Sequence, residues 1–420
     1  MGRKIFKITK VVMLMVQIEN NNRSTPKKIK LAFILFTNLR VGAGTETTLF
    51  NYINSAPNDL FDVTVVQTDY IENPRLSQEY VREKLSNIKL IEWPDYKNKF
   101  RFLEKNYFTE LLLRVLIEPL LMFLSYHLVY KNLANQFKDF DIIYLYSNPF
   151  SKFFNKSKAL VIGTSHTGLS IDHSFLGRIS TRLIQERLRF RNIDGYHLFP
   201  YHSKIFHSFK SRSNFILSNG VDTELYHPPE QRDINQPLRF IFVGRLEACK
   251  GITRLLEAWE VSLSKSDAEL HIVGDGSLRE LVSSKANGNV IYHGRVDLDQ
   301  LGKLYRQSDI LVHPSKCDTL TLVVLEAASS GLFVLESKWL QGTYDDLSDL
   351  GFLEYIDPSS NGISEKLLEC LNMRQRIVAN KNLVSKYIQN TYDWKIIAGK
   401  FFEELSKLFV SSHSSDVLIS

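Results

Sequence analysis

Four side chains in the C-terminal half of the sequence have the types and spacing from which chemistry can be argued. Arg245 and Lys250 follow an apolar run at 238–243 and stand among glycines, in VGRL at 243–246 and in the pair Lys250-Gly251. A planar fork and a point charge on one such loop can share the oxygens of a single diphosphate. If that diphosphate is a leaving group, their attraction grows as its bond breaks and charge accumulates, which is electrostatic transition-state stabilisation. Asp318 and Glu326 lie eight positions apart, the first in a loop after the apolar run 310–313, the second inside a helical pattern that starts near Thr321. A carboxylate within a helix facing a cleft can accept two neighbouring hydroxyls, as on a ribose, and one in the preceding loop can reach another sugar. The amides of Leu320, Thr321 and Leu322 fall at the helix start, where unpaired N–H groups donate to phosphate or sugar oxygens.

Elements must present these groups together, and the pattern supplies them. Strand-like runs at 238–243, 270–273, 290–292, 310–313 and 333–335 alternate with amphipathic stretches, the βαβ rhythm of a parallel sheet flanked by helices. Polar residues and glycines gather at the strand ends, including IVGDG at 272–276, and ligands of open α/β sheets bind outside the carboxyl ends of strands. A similar rhythm comes earlier in the chain. A buried strand at 31–36 runs into VGAGTE at 41–46 and a helical pattern at 47–53, which together make an anion cradle or a simple tight turn. As a dinucleotide fingerprint it fails, because Thr47 takes the third glycine position of GxGxxG. Further strands are read at 61–67, 87–91, 141–146 and 159–163, the last leading to Thr164-Ser165-His166. A histidine at a strand end serves either a reaction centre or a structural hydrogen bond.

Between these elements, residues 93–105 mix lysines and arginine with aromatics, which suits an interfacial surface or a solvated face. Residues 108–129 are strongly apolar, but Glu110, Arg114 and Glu118 mark a polar stripe and the charge-free part, 119–130, is below the roughly 20 residues of a membrane span. Residues 178–191 read as an arginine-rich helix. The turn Ser218-Asn219-Gly220-Val221-Asp222, followed by Pro228 and Pro229, reads as a domain junction. The predicted organisation is a basic tail at 1–29, an N-terminal domain at 30–217, a linker at 218–236, a second domain at 237–393, a helix at 394–410 packing back toward the first domain, and a frayed tail at 411–420.

A chain of 420 residues with 44% hydrophobic and 23% charged residues suits two or three soluble domains. Its net charge of +6 fits a phosphate-rich ligand or an anionic membrane surface and is too mild to argue for nucleic acid. Three cysteines, with no CxxC spacing, predict neither a disulfide framework nor a zinc site, and a reducing cytoplasm is the simplest setting. The apolar run 11–16 is below the roughly 7 to 15 residues of a signal-peptide core. Asp297-Leu298-Asp299 imitates a metal-binding DxD but opens a helix, where acids act as caps, so no metal is expected.

Taken together, these motifs resemble glycosyltransferase family 4, whose members have the GT-B architecture, two Rossmann-like doubly wound domains facing an interdomain cleft. The resemblance covers about 30–409 and is most specific at 243–331, where VGRL, Lys250-Gly251, IVGDG and the D-x7-E pair with Glu326-Ala327-Ala328 precede Gly331. It implies that Arg245 and Lys250, beside Gly244, bind a donor diphosphate, that Glu326 binds the donor ribose, and that Asp318 contacts the transferred sugar. It implies further that His166 belongs to the reaction centre, that Gly44 borders acceptor and phosphate, and that Asp275, Gly276 and Arg295 line the nucleotide side. Asp318 stands where the family more often has glutamate, and Thr321 where it has glycine. The implied activity is retaining, metal-independent and cofactor-free transfer of a sugar from a nucleotide-diphosphate donor to a hydroxyl acceptor, a glycan or lipid-linked glycan in cell-surface polysaccharide or glycoconjugate synthesis. The setting would be cytoplasmic, with peripheral membrane contact. A nucleotide-sugar epimerase and a non-catalytic GT-B carbohydrate-binding subunit are the alternatives.

Overall fold

The structure is a computed structural model of the chain. It describes residues 28–35, 38–41, 44–68, 77–86, 88–93, 136–146, 158–164, 193–200, 213–318 and 321–417. They fall into two compact units, one made of 217–397 with 199 and 200, the other of the remaining described residues.

The first unit is built on a seven-stranded sheet of β1 (Ile29–Leu35), β2 (Phe61–Thr68), β3 (Lys89–Trp93), β4 (Ile142–Tyr146), β5 (Leu160–Thr164), β6 (Gly195–Leu198) and β7 (Ser213–Ile216). Every pair is parallel and the order is β3-β2-β1-β4-β5-β6-β7. All of β4 and β5 is buried, which is why these strands read as continuous apolar runs rather than alternating ones. The helix Gly44–Asn54 follows β1, and its Tyr52 stacks on Phe401 with ring centroids 4.3 Å apart. Phe401 belongs to the helix Trp394–Val417, which extends beyond 410, where the sequence reading ends it.

The second unit holds a six-stranded sheet of β8 (Arg239–Val243), β9 (Glu269–Val273), β10 (Val290–Gly294), β11 (Ile310–His313), β12 (Phe333–Ser337) and β13 (Leu353–Ile356). These strands too are all parallel, in the order β10-β9-β8-β11-β12-β13. The helix Ile252–Ser262 buries Leu255, Leu256 and Trp259 on the sheet, and the Trp259 ring meets Phe240 edge-on at 5.4 Å. Phe242, Ile272, Ile310, Val312 and Leu335 complete that core. Parallel strands need crossovers, and helices such as Leu298–Gln307 and Leu322–Ser329 supply them. In each sheet the strand order reverses once, between β1 and β4 and between β8 and β11. The expected α/β class with two parallel sheets is therefore observed. Among the described residues no helix is long and apolar enough to cross a membrane.

The segment 218–236, read as a linker, lies within the second unit. Its Arg232 makes a two-point ion pair with Asp309, just before β11, at 2.7 and 3.0 Å. Lys381 Nζ stands 3.3 Å from the same carboxylate, and Asp309 is fully buried. Burial opposes its ionisation, but Arg232 and Lys381 hold the carboxyl below its ordinary value. Asp309→Ala strands two buried cations and should cost about 3–5 kcal/mol in urea unfolding.

Candidate active site

The loop after β8 is held by a turn that only glycine permits. Gly244 N–H donates to Val273 O at 3.1 Å and Leu246 N–H to Asp275 O at 2.9 Å, so VGRL lies directly on IVGDG. Gly274 has φ of 141°, and a Cβ there would fall 1.8 Å from Gly244 O. At Gly276 a Cβ would meet Leu246 O at 2.7 Å. Arg245 points to solvent and makes no ion pair among the described residues. Lys250 ends a short 3-10 turn, Ala248–Lys250, closed by Gly251 at φ 83°.

Strand β11 is the hydrogen-bonded neighbour of β8, with Ile310 opposite Phe240, so the two following loops emerge side by side. Lys316 N–H donates to Cys249 O at 2.9 Å, and Arg254 Nη2 donates to Pro314 O at 3.1 Å. Cys249 and Cys317 are joined by a disulfide across a sequence separation of 68, with Cα atoms 5.7 Å apart. This overturns the reading that the cysteines form no bridge, and with it the ground for a reducing compartment. Spacing along the chain carries no information about two loops that meet only because β8 and β11 pair.

Each cysteine adjoins a site residue, and Lys250 and Asp318 form an ion pair. The other oxygen of Asp318 lies 3.0 Å from His313 Nε2, and His313 Nδ1 lies 2.9 Å from Glu336 Oε1. His313 and Glu336 are direct partners across β11 and β12, on the face opposite Val312 and Leu335. Glu336 also accepts a hydrogen bond from Ser337 N–H at 2.8 Å. Burial would lower the imidazole, but the carboxylates of Glu336 and Asp318 raise it to about 9. Burial would likewise raise Asp318, but His313 and Lys250 hold it far below the carboxylate range. Burial raises Glu336, with His313 opposing. The sequence reading missed His313 and Glu336. Their signal is a charged residue inside a buried parallel strand, FVLES, which demands a partner on the adjacent strand.

Thr321 precedes the helix Leu322–Ser329 but gives it no side-chain cap, and its buried Oγ1 has no hydrogen-bond partner among the described residues. A hydroxyl and early helix amides therefore lie together with unused hydrogen-bonding capacity. One turn on, Glu326 Oε2 accepts from Tyr305 Oη at 3.2 Å, and burial pushes its carboxyl up to about 7, with Tyr305 opposing.

The structure thus brings Lys250 and Asp318 into contact, with Gly244, Asp275 and Gly276 in the packed turns beside Arg245. Asp275 Oδ1 accepts from Gly276 N–H at 2.9 Å. Arg295 is exposed beyond β10, two strands from β8. Leu322 is the first residue of its helix, whereas Leu320 and His166 lie outside the described residues. Gly44 opens its helix in the first unit. Asp297 caps the helix Leu298–Gln307, its Oδ1 accepting from Gln300 N–H at 2.8 Å, as the sequence reading of the DxD has it. Among the described residues no group of three His, Cys, Asp or Glu side chains could hold a metal ion.

Two outcomes are expected. Glu326 holds its proton more tightly folded than unfolded, so its contribution to stability is complete below about pH 4.5 and is lost as pH rises through about 7. Glu326→Gln removes that loss and, allowing for partial exposure, should exceed the parent by on the order of 2 kcal/mol in urea unfolding near pH 8 but not near pH 4. Reducing the Cys249–Cys317 bridge should lower stability by roughly 2–4 kcal/mol, read from urea midpoints with and without a dithiol.

Residues 237–373 match the family Glycosyl transferases group 1. An uncharacterized glycosyltransferase of Methanocaldococcus jannaschii is 28% identical over 217 residues, 47% of this chain and 49% of its own. The chain spans about half or less of the length of the curated relatives it matches. The sucrose-phosphate synthase of Thermosynechococcus elongatus superposes with a TM-score of 0.66 at 16% identity, covering 91% of this chain and 100% of that one. An Anabaena protein, HepE, in complex with UDP-glucose, gives 0.62 at 15% identity, covering 90% and 100%. At such identities the structural likeness is one of fold. Over residues 237–373 the chain is similar to the group 1 glycosyltransferases, and its two parallel sheets have the GT-B fold.

Proposed function

We propose that this protein is a retaining glycosyltransferase of the family 4 kind, which moves a sugar from a nucleoside-diphosphate sugar to a hydroxyl acceptor. The observation that carries the reading is the meeting, beyond β8 and β11, of the glycine-bound loop of Arg245 and Lys250 with Asp318, which shortly precedes the Glu326 helix. Diphosphate oxygens would take the two cations, the ribose hydroxyls Glu326, and the sugar hydroxyls Asp318. Thr321 Oγ1 and the helix amides would supply hydrogen bonds to phosphate or sugar.

In a front-face transfer, the acceptor oxygen bonds to the anomeric carbon on the side from which the phosphate oxygen departs. The acceptor proton passes to that departing oxygen. Arg245 and Lys250 then stabilise the diphosphate charge that appears as the bond breaks, so no metal ion or cofactor is needed. The UDP-glucose complex of the Anabaena neighbour makes UDP-glucose the first donor to test. The basic, aromatic and apolar sequence at 93–129 supports a lipid-linked glycan acceptor at a membrane surface.

The test is donor turnover with radiolabelled UDP-glucose and other nucleotide sugars against lipid and glycan acceptors. Arg245→Ala and Lys250→Ala should each lower kcat about 10²- to 10³-fold with the fold intact by circular dichroism. Undiminished turnover in both variants would remove the diphosphate clamp from the mechanism.

A further inference from the structure

Lys250 is engaged within the protein itself. Its ammonium pairs with Asp318, and the side chains of both are largely buried, at 14% and 16% exposure. To reach a diphosphate, the lysine has to leave a carboxylate that is mostly withdrawn from water. An unpaired buried carboxylate is costly, so a cation committed in this way would be a poor anion ligand unless something else neutralised Asp318.

Such a partner is already in position. The imidazole of His313 approaches the second oxygen of Asp318, Nε2 to Oδ2 at an ion-pair distance of 3.0 Å at which Oδ2 makes no aligned hydrogen bond among the described residues, while Lys250 takes Oδ1. Glu336 fixes the other imidazole nitrogen through both its oxygens, at 2.9 and 3.1 Å, which assigns Nε2 to face Asp318. The result is a row of alternating charge, Lys250, Asp318, His313 and Glu336, running from the β8 loop to β12. The groups that face the imidazole are Asp318 from its own loop, Glu336 from β12, and Lys250 through Asp318. The buried phenol of Tyr344 acts on Glu336 from beyond. Strand β8, on the other side, is apolar from Phe240 to Val243, and its Arg239 stands at the opposite end, paired with Glu269. Backbone movement is limited, since the disulfide and the Lys316–Cys249 bond tie the two loops together. Exchange of partner by Lys250 therefore falls to rotation of its four-carbon stem.

We propose that His313 is the resident counter-ion of Asp318, oriented by Glu336, and that it frees Lys250 to exchange the Asp318 carboxylate for the donor diphosphate. His313 and Glu336 are positioning residues, acting through Asp318 and Lys250 without touching the donor. The raised proton affinity of His313 keeps it cationic through neutral pH, which the role requires. This inference rests on the reading of Lys250 as a diphosphate ligand, but its core, that His313 alone can hold Asp318 ionised, is independent of any ligand.

The experiment has two arms. The first follows the Asp318 carboxyl and the His313 imidazole by ¹³C and ¹⁵N NMR titration in Lys250→Met, which imitates departure of the lysine. Asp318 should still titrate below the ordinary carboxylate value of about 3.9, and His313 should stay protonated through neutral pH. In Lys250→Met/His313→Gln the Asp318 midpoint should rise above that value. If Lys250→Met alone raises it so far, or if His313 is neutral at pH 7 there, the proposal is lost, whether or not the double variant folds. The second arm measures UDP, GDP and ADP binding by calorimetry. His313→Gln should weaken the preferred nucleotide roughly tenfold in the parent and leave it unchanged in the Lys250→Met background. Equal weakening in both backgrounds would overturn the exchange. Failure of the parent to bind any of the three would count against the nucleotide-sugar reading, while the titrations still decide the role of His313.

Discussion

The site depends on the hydrogen-bonded pairing of β8 and β11, two strands that β9, β10 and three helices separate in sequence. A crossover returns the chain to the far side of β8, so two loops that are remote in sequence leave the sheet at the same end. Glycine completes the arrangement from the other side. With no Cβ at Gly274, the β9 loop comes within hydrogen-bonding distance of the β8 loop and sets the path of Arg245 and Lys250. Backbone geometry thus settles where the cations stand before any side chain is considered.

Most of this architecture is legible in the sequence because parallel strands buried on both faces leave continuous apolar runs. The runs at 238–243, 270–273 and 310–313 correspond to β8, β9 and β11 to within one residue at either end. The strands β6, β7 and β13 were not legible. Each has four residues, and β7 buries only Phe215, so neither length nor apolarity distinguishes them from loops. The helix cap at Asp297 was legible, since one side chain and an amide three residues on suffice to make it.

The candidate site was legible in part, for a related reason. Motifs record residues that are near one another in sequence, and they identify Arg245, Lys250, Asp318 and Glu326. Residues whose role comes from neighbours on another strand leave only indirect marks. Glu336 follows three apolar residues in β12, and its necessity for His313 depends on the register of β11 against β12. The disulfide is hidden in the same way, because two lone cysteines become adjacent only after the sheet has formed. Charge at the site follows from this packing. Asp318 stays ionised though largely buried because a cation meets each of its oxygens, whereas Glu326, hydrogen-bonded by the Tyr305 phenol, binds its proton far more readily.

The Cys249–Cys317 bond also has a topological effect. It closes the chain from 249 to 317 into a covalent ring that contains β9, β10 and β11, with the helices between them. Strands β9 and β10 form one margin of the sheet, where fraying ordinarily begins without cost to the interior. Here both are threaded on a loop whose knot is the site itself. Peeling of that margin and widening of the mouth between the β8 and β11 loops thereby become linked motions, opposed by one sulfur–sulfur bond.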